Sequence, residues 1–404
     1  MIGMALALAV IWLGFDQASG GAFLTPRNLW NLSVQTASIA IMACGMVLVI
    51  VTRNIDLSVG SMLGFIGMVV GLVQAKLLPD LWGLEHPATW LVCIALAIVL
   101  GSLIGLMQGW LIAYLVIPSF IVTLGGLLVW RGAAWWVTQG QTLAPMDGRF
   151  RPLGGGIEGA IGAGASWIIG LVICALIVAG MLVARRQRTR YGFHQRPVWA
   201  EFVLGAIACG IVLGVVAIAN AYLLPSGVAR RLAEAKGLAW PEGGLAIGHG
   251  LAVPVLVALA VAAAVSFLAR RRRFGRYVFA IGGNPEAAQL SGVNERKVLM
   301  LVYALMGALV GISACIAIAR LNAATNAAGV LDELYVIAAA VIGGTSLAGG
   351  VGTIAGALLG ALVMQSLQSG MVLVGVDTPM QNIVVGLVLV VAVWLDTVYR
   401  RKVG

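Results

Sequence analysis

RRRRFGRYVFAIGGNPEAAQLSGV, Arg270–Val293, is a polar, basic segment between two stretches suited only to a membrane. Leu251–Ala269 before it and Val298–Ala319 after it are almost wholly apolar, and each is long enough to cross a bilayer as a helix. The arginines Arg270–Arg273, with Arg276, place the segment on the cytoplasmic side, because basic clusters beside span ends stay there. Gly282, Gly283, Asn284 and Pro285 break the chain. Glu286, Ala287, Ala288, Gln289 and Leu290 then predict about one and a half turns of helix, which Ser291 and Gly292 stop. A short helix is thus offered to the cytoplasm with both roots in spanning helices, placed to receive force from a soluble partner.

The composition agrees. Hydrophobic residues make up 61% and charged residues 10%, with a mean hydropathy of +1.02, which describes a chain dissolved mostly in lipid. The net charge of +10 does not indicate nucleic acid, since the bases gather at span ends and not on a soluble face among aromatics. Cys44, Cys93, Cys174, Cys209 and Cys315 lie in apolar segments without C-x-x-C spacing and read as buried thiols. His86, His194 and His249 are far apart and lack metal-ligand spacing, so no metal site is expected. No G-x-x-x-x-G-K-[ST] occurs, so ATP would be bound by another chain.

The fold class expected is an all-α integral membrane protein, a polytopic helical bundle of about twelve spans with both termini cytoplasmic. Met1–Phe15 reads as a first helix with a clipped N-terminus, and Phe23–Leu32, with Trp30, as an interfacial segment on the outer face. Further spans are expected near Thr36–Val51, Leu57–Gln74, Thr89–Trp110, Phe120–Val137, Ser166–Ala184 and Trp199–Leu223. The rest fall near Ile247–Ala269, Val298–Ala319, Leu334–Leu347, Val351–Leu367 and Met380–Val398, with Leu334–Leu347 short enough to be re-entrant instead. Sidedness follows from sorting the bases. The inner segments would hold Arg53, Arg185, Arg186, Arg188, Arg190, Arg196, Arg270–Arg273, Arg276, Arg296, Lys297, Arg400, Arg401 and Lys402. The outer ones would hold Arg27, Lys76, Arg149, Arg151, Arg230, Arg231, Lys236 and Arg320, half as many.

Four separated motifs carry a resemblance. GRYVFAIGGNPEAAQLSGVN, NIDLSVGSMLGF at Asn54–Phe65, PSFIVTLGGLLVWRG at Pro118–Gly132 and AAVIGGTSLAGGVGTIAGALLGALV at Ala340–Val363 occur in order over nearly the whole chain. They resemble permease subunits of ATP-driven ABC importers of the ribose/xylose/galactose group. Extra apolar segments between residues 165 and 250 look most like the xylose-type permeases. The resemblance implies a single permease domain over 1–404 with a cytoplasmic coupling loop at 270–297, in a bacterial inner membrane. It implies ATPase contact through Gly283, Asn284, Pro285, Glu286, Ala287, Ala288, Leu290, Ser291 and Gly292. It further implies a homodimer in the membrane, two ATP-binding subunits that hold ATP and Mg, and a periplasmic sugar-binding protein, with no cofactor on this chain. The substrate implied is a pentose, D-xylose first, with ribose or another monosaccharide as the alternative.

No catalytic residues are expected, since ionisable groups do not cluster within the spans. A stand-alone ion-coupled sugar carrier is the rival reading, although such carriers usually place acids mid-span. Asp56, amid Asn54 and Ser58, has two readings: a cap on the helix starting near Leu57, or a part in gating or substrate passage. Arg53 stands close enough in sequence to pair with it. Arg131, flanked by Trp130, Trp135 and Trp136, either snorkels outward and stacks on tryptophan or lines the path. Gln108, Ser119, Thr123, Thr138 and Gln139 add neutral polar groups, which sugar hydroxyls need when they leave water. Gly352–Gly356–Gly360, Gly101–Gly105–Gly109 and Gly60–Gly64 repeat G-x-x-x-G and predict close helix packing.

Overall fold

The structure, a computed structural model, describes residues 2–194, 197–235, 241 and 245–403, and of residues 2, 232, 235, 392 and 395–403 the backbone alone. Arg196 and Lys236, counted above for sidedness, lie outside the described residues, as do the side chains of Arg400, Arg401 and Lys402. Among the described residues every regular element is helical. In order these are α1 Ile2–Ala18, α2 Pro26–Val51, α3 Val59–Leu72, α4 Leu78–Trp82, α5 Thr89–Ala113 and α6 Ser119–Thr138. Then come α7 Ala163–Arg190, α8 Val198–Ala221, α9 Ser226–Ala235, α10 Val253–Arg271, α11 Arg273–Gly283 and α12 Pro285–Leu290. The last four are α13 Glu295–Leu321, α14 Asp332–Ile342, α15 Ile354–Leu373 and α16 Thr378–Val403. Nine helices among the described residues are long and apolar enough to cross a bilayer, counting α3 as running on through a π-turn and α4 to Trp82.

The chain divides into two units. The larger comprises Met1–Leu24, Asn31–Glu158 and Pro254–Gly404, and the smaller Thr25–Trp30 and Gly159–Val253. In the larger unit α2 is central: 89% of its most apolar stretch is buried, against 28% for α5 and 11% for α6. The seam between α5 and α13 is antiparallel and lined with glycine. Methyl groups on Gly101, Gly105 and Gly311 would overlap the carbonyls of Gly307, Tyr303 and Ala97. Lipid offers no hydrophobic drive between helices, so such close backbone approach is what holds them together.

The second glycine face, on α3, receives chain that is not helical. Gly71 packs on Ala324, Gly64 on the Ala328 carbonyl and Gly60 on the Gly329 carbonyl. Gly60 to Gly71 spans about 16 Å of helix rise, and the run of turns from 324 to 329 lies along it. After α13 the chain therefore runs back along α3 as a series of turns, with the Ala328 N–H donating to the Thr325 carbonyl and Gly329 left-handed at φ 70°, then continues as α14. This corrects the expected span at Leu334–Leu347. α14 ends at Ile342 and rises about 16 Å, half of a bilayer core, so it does not cross by itself. Non-helical backbone is tolerated at such depth only where protein supplies its hydrogen bonds. Ala324 exchanges both backbone bonds with Leu143, at 2.9 and 3.0 Å.

In the smaller unit only 6% of the apolar stretch of α7 and 11% of that of α8 is buried, so their outer faces suit lipid. Arg185 and Glu201 bridge the pair at 2.6 Å. The interfacial segment expected at Phe23–Leu32 is corrected: Pro26 opens α2, where its missing N–H costs nothing. Trp30 is buried, with its Nε1 donating to the Gly250 carbonyl at 2.8 Å. His249 stacks on Tyr222 with ring centroids 4.1 Å apart, and meets Trp30 edge-on at 5.3 Å.

Candidate coupling loop and translocation path

The segment 270–297 folds into two helices. α11 was not foreseen: the glycines at 282–283 were read as breakers, yet they end an amphipathic helix whose Val278, Ile281 and Gly282 are buried. α12 follows after one extended residue, Asn284, whose Oδ1 accepts the Ala287 N–H at 3.0 Å. Pro285 occupies the first helical position and Glu286 stands near the positive end of the dipole. The far end closes with Ser291 Oγ donating to the Ala287 carbonyl at 2.8 Å and Gly292 in a left-handed turn at φ 79°. Asn294 then caps α13 by accepting the Lys297 N–H. Ala288 faces inward, while Leu290 at the tip is 91% exposed.

The loop also meets the α2–α3 connector. Arg53, left-handed at φ 63°, donates from Nε to the Gly282 carbonyl and from a terminal nitrogen to the Gly283 carbonyl, each at 2.9 Å. This corrects the expected pairing of Arg53 with Asp56. The arginine goes to the C-terminal carbonyls of α11, which lack helical partners and carry the negative end of its dipole. Gly350 N–H donates to the Val51 carbonyl at 3.0 Å, which brings the α14–α15 connector to the same place.

Asp56 is buried beyond this junction. Its Oδ1 accepts the Ser58 N–H at 2.9 Å and the Ser58 hydroxyl at 2.6 Å. Gln108 Nε2 on α5 donates to the Ser58 hydroxyl at 2.9 Å, completing a chain of three side chains. Asp56 thus serves the entrance of α3 through Ser58, while Ser58 itself makes no capping bond with its side chain. Thr123 Oγ1 donates to the Ser119 carbonyl at 2.9 Å and lies 3.3 Å from the Ile55 carbonyl. Asn54 turns away, its Nδ2 donating to the Thr52 carbonyl. Of the path candidates, Asp56, Ser58, Gln108 and Thr123 gather on the connector, with Ser119 one turn below Thr123.

Arg131 stands apart, eight residues or about 12 Å of helix beyond Thr123. It neither snorkels nor stacks on tryptophan. Its guanidinium donates to the carbonyls of Asn326 at 3.0 Å, Ala328 at 2.9 Å and Gly329 at 3.1 Å. These oxygens stand in the turns between α13 and α14, outside any helix, and a planar fork of donors suits a group of them. Trp130 instead packs on Phe65, with centroids 5.3 Å apart. Sequence reasoning missed Glu333, which is buried against Gly60 with one carboxylate oxygen unpartnered. The adjacent acids Asp332–Glu333 ahead of an apolar run were the signal. Among the described residues no group of His, Cys, Asp and Glu could hold a metal ion.

The family described as branched-chain amino acid transport system / permease component matches residues 28–201 and 196–393. The chain belongs to this family. It is therefore a multi-pass membrane permease component of a transport system and not an enzyme. It is 38% identical over 403 residues, 99% of its length, to the xylose transport system permease protein of Haemophilus influenzae, covering 96% of that protein. It is also 38% identical to the Escherichia coli K12 protein of the same name, across 99% of this chain and 92% of that one. The E. coli K12 ribose import permease protein is 33% identical, across 93% and 87% of the two chains. No solved structure matches.

Proposed function

We propose that this chain is the membrane subunit of an ABC importer that moves D-xylose inward, with ATP hydrolysed on separate subunits. The reading rests on α12: a helix capped at both ends, held between membrane helices, with an exposed leucine at its tip, is built to be gripped. The xylose-type relatives favour that sugar over ribose. Both termini are cytoplasmic in this reading, two copies form the pathway, two ATPase subunits hold ATP and Mg, and a binding protein delivers sugar at the opposite face. Closure of the ATPases presses the two α12 helices together, and the bundle answers by opening outward. Gly283, Asn284, Pro285, Glu286, Ala287, Ala288, Leu290, Ser291 and Gly292 form the contact. Asp56, Ser58, Gln108, Ser119 and Thr123 belong to the inner part of the path, where hydroxyl-bearing substrates exchange water for side-chain partners.

One observation favours the rival. Glu333, a buried carboxyl with an open oxygen, is the kind of group an ion-coupled carrier uses. Proteoliposomes separate the two. With its ATPase and binding protein, the chain is expected to accumulate radiolabelled D-xylose only when ATP is supplied, and excess ribose is expected to compete weakly. Uptake by the chain alone under a proton or sodium gradient would refute the importer reading.

A further inference from the structure

The loop has two covalent routes into the bundle, and each passes through a non-helical joint. α10 and α11 are separated by Arg272, extended at φ −100° and ψ 156°. α12 and α13 are separated by a turn with Gly292 at φ 79°. A displacement of α12 can be absorbed at either joint. Arg53 makes a route that bypasses both of these joints and meets the loop one residue before α12: two charge-assisted bonds from one side chain to Gly282 and Gly283. Gly282 lies so close to the Val51 carbonyl that a methyl group there would overlap it. Gly349, left-handed at φ 88°, leaves room for the Arg53 stem. Three residues further along the chain, Asp56 begins the hydrogen-bonded run through Ser58 to Gln108 on α5.

We infer that Arg53 is the positioning residue that carries motion of α11–α12 into the Asn54–Ser58 connector and on to α5. This rests on the proposed function and names the link within it. The test uses the whole importer in proteoliposomes, comparing the wild type with Arg53→Ala and Arg53→Lys. Arg53→Ala is expected to lower xylose moved per ATP about tenfold or more, since both charge-assisted bonds are lost and one alone is worth about that factor, while basal ATP hydrolysis by the assembled complex holds. Arg53→Lys, which reaches one carbonyl, is expected to fall between. An unchanged ratio in either variant overturns the inference, as does equal loss of hydrolysis and transport, which is the sign of a merely structural role. If Arg53→Ala does not assemble, Arg53→Lys decides by the same ratio. A second readout needs no sugar: thiol labelling of Asn54→Cys, read against the chain without it. Labelling is expected to change with nucleotide when Arg53 is present and to stop changing in Arg53→Ala; persistence of the change overturns the link. A wild type that moves no xylose under ATP refutes the proposed function, and the labelling still judges Arg53.

Discussion

Replacing Arg131 with alanine withdraws the donor that three backbone oxygens share inside the bundle. In soluble proteins a bond from a charged donor contributes about 1.5–3 kcal/mol, and an orphaned buried acceptor costs about 1–3 kcal/mol. Within membranes side-chain bonds measure less, about 0.6 kcal/mol on average and up to about 1.7. Gly329 keeps a long contact, 3.4 Å, from the Asp332 N–H, so the full loss falls on Asn326 and Ala328. Two to three such bonds at the membrane average give about 1–2 kcal/mol. For a chain of this size that lowers the thermal midpoint by about 2–4 °C, at roughly 2 °C per kcal/mol. The assay is thermal unfolding of the purified chain in detergent, with Trp130→Phe as a neighbour that spares the fork. Arg131→Lys is expected to retain part of the loss, since an ammonium cannot match the spread of the guanidinium. A midpoint for Arg131→Ala within about 1 °C of the wild type would mean that the oxygens find other donors, and the clasp would be an unimportant contact.

Three further outcomes are expected. Asp56→Asn keeps an acceptor at the Oδ1 position for both Ser58 bonds, so its thermal midpoint should hold; loss of sugar uptake with the fold intact would assign the charge a role in passage. Glu286→Lys with Ala287→Arg places two large cations on the α12 face and should abolish stimulation of the ATPase while membrane insertion continues; unchanged uptake would remove α12 as the contact. Burial pushes the His249 imidazole below its ordinary value of about 6.5, outweighing the hydrogen bond to the Tyr222 carbonyl, which acts the other way. The folded state therefore prefers neutral His249, and its stabilisation is present above about pH 6.5 and is lost as the pH falls further. The melting midpoint should decline from pH 8 to pH 5.5, and His249→Phe should flatten that slope; an unchanged slope would count against the titration of His249.

The apolar runs alone fixed where most membrane helices lie, because a helix in lipid must satisfy its backbone internally and bury no unpaired charge, and both demands are written locally. α5, α6, α8 and α13 begin and end within a few residues of their expected positions. The short helix at Glu286–Leu290 was legible for the same reason, although Asn284 and Pro285, read there as breakers, turn out to be its cap and first residue. What the sequence could not show were partners brought together from distant positions. The Arg53 bonds to Gly282 and Gly283 bridge residues 229 and 230 positions apart, and Arg131 reaches 195 to 198 positions along the chain. In each case a charged fork meets carbonyls that local structure left open, and only folding decides which open carbonyls lie within its reach. The run of turns at 324–329 follows the same logic. Its residues carry no strand or helix signal, and its conformation is set by the glycine groove of α3 against which it lies.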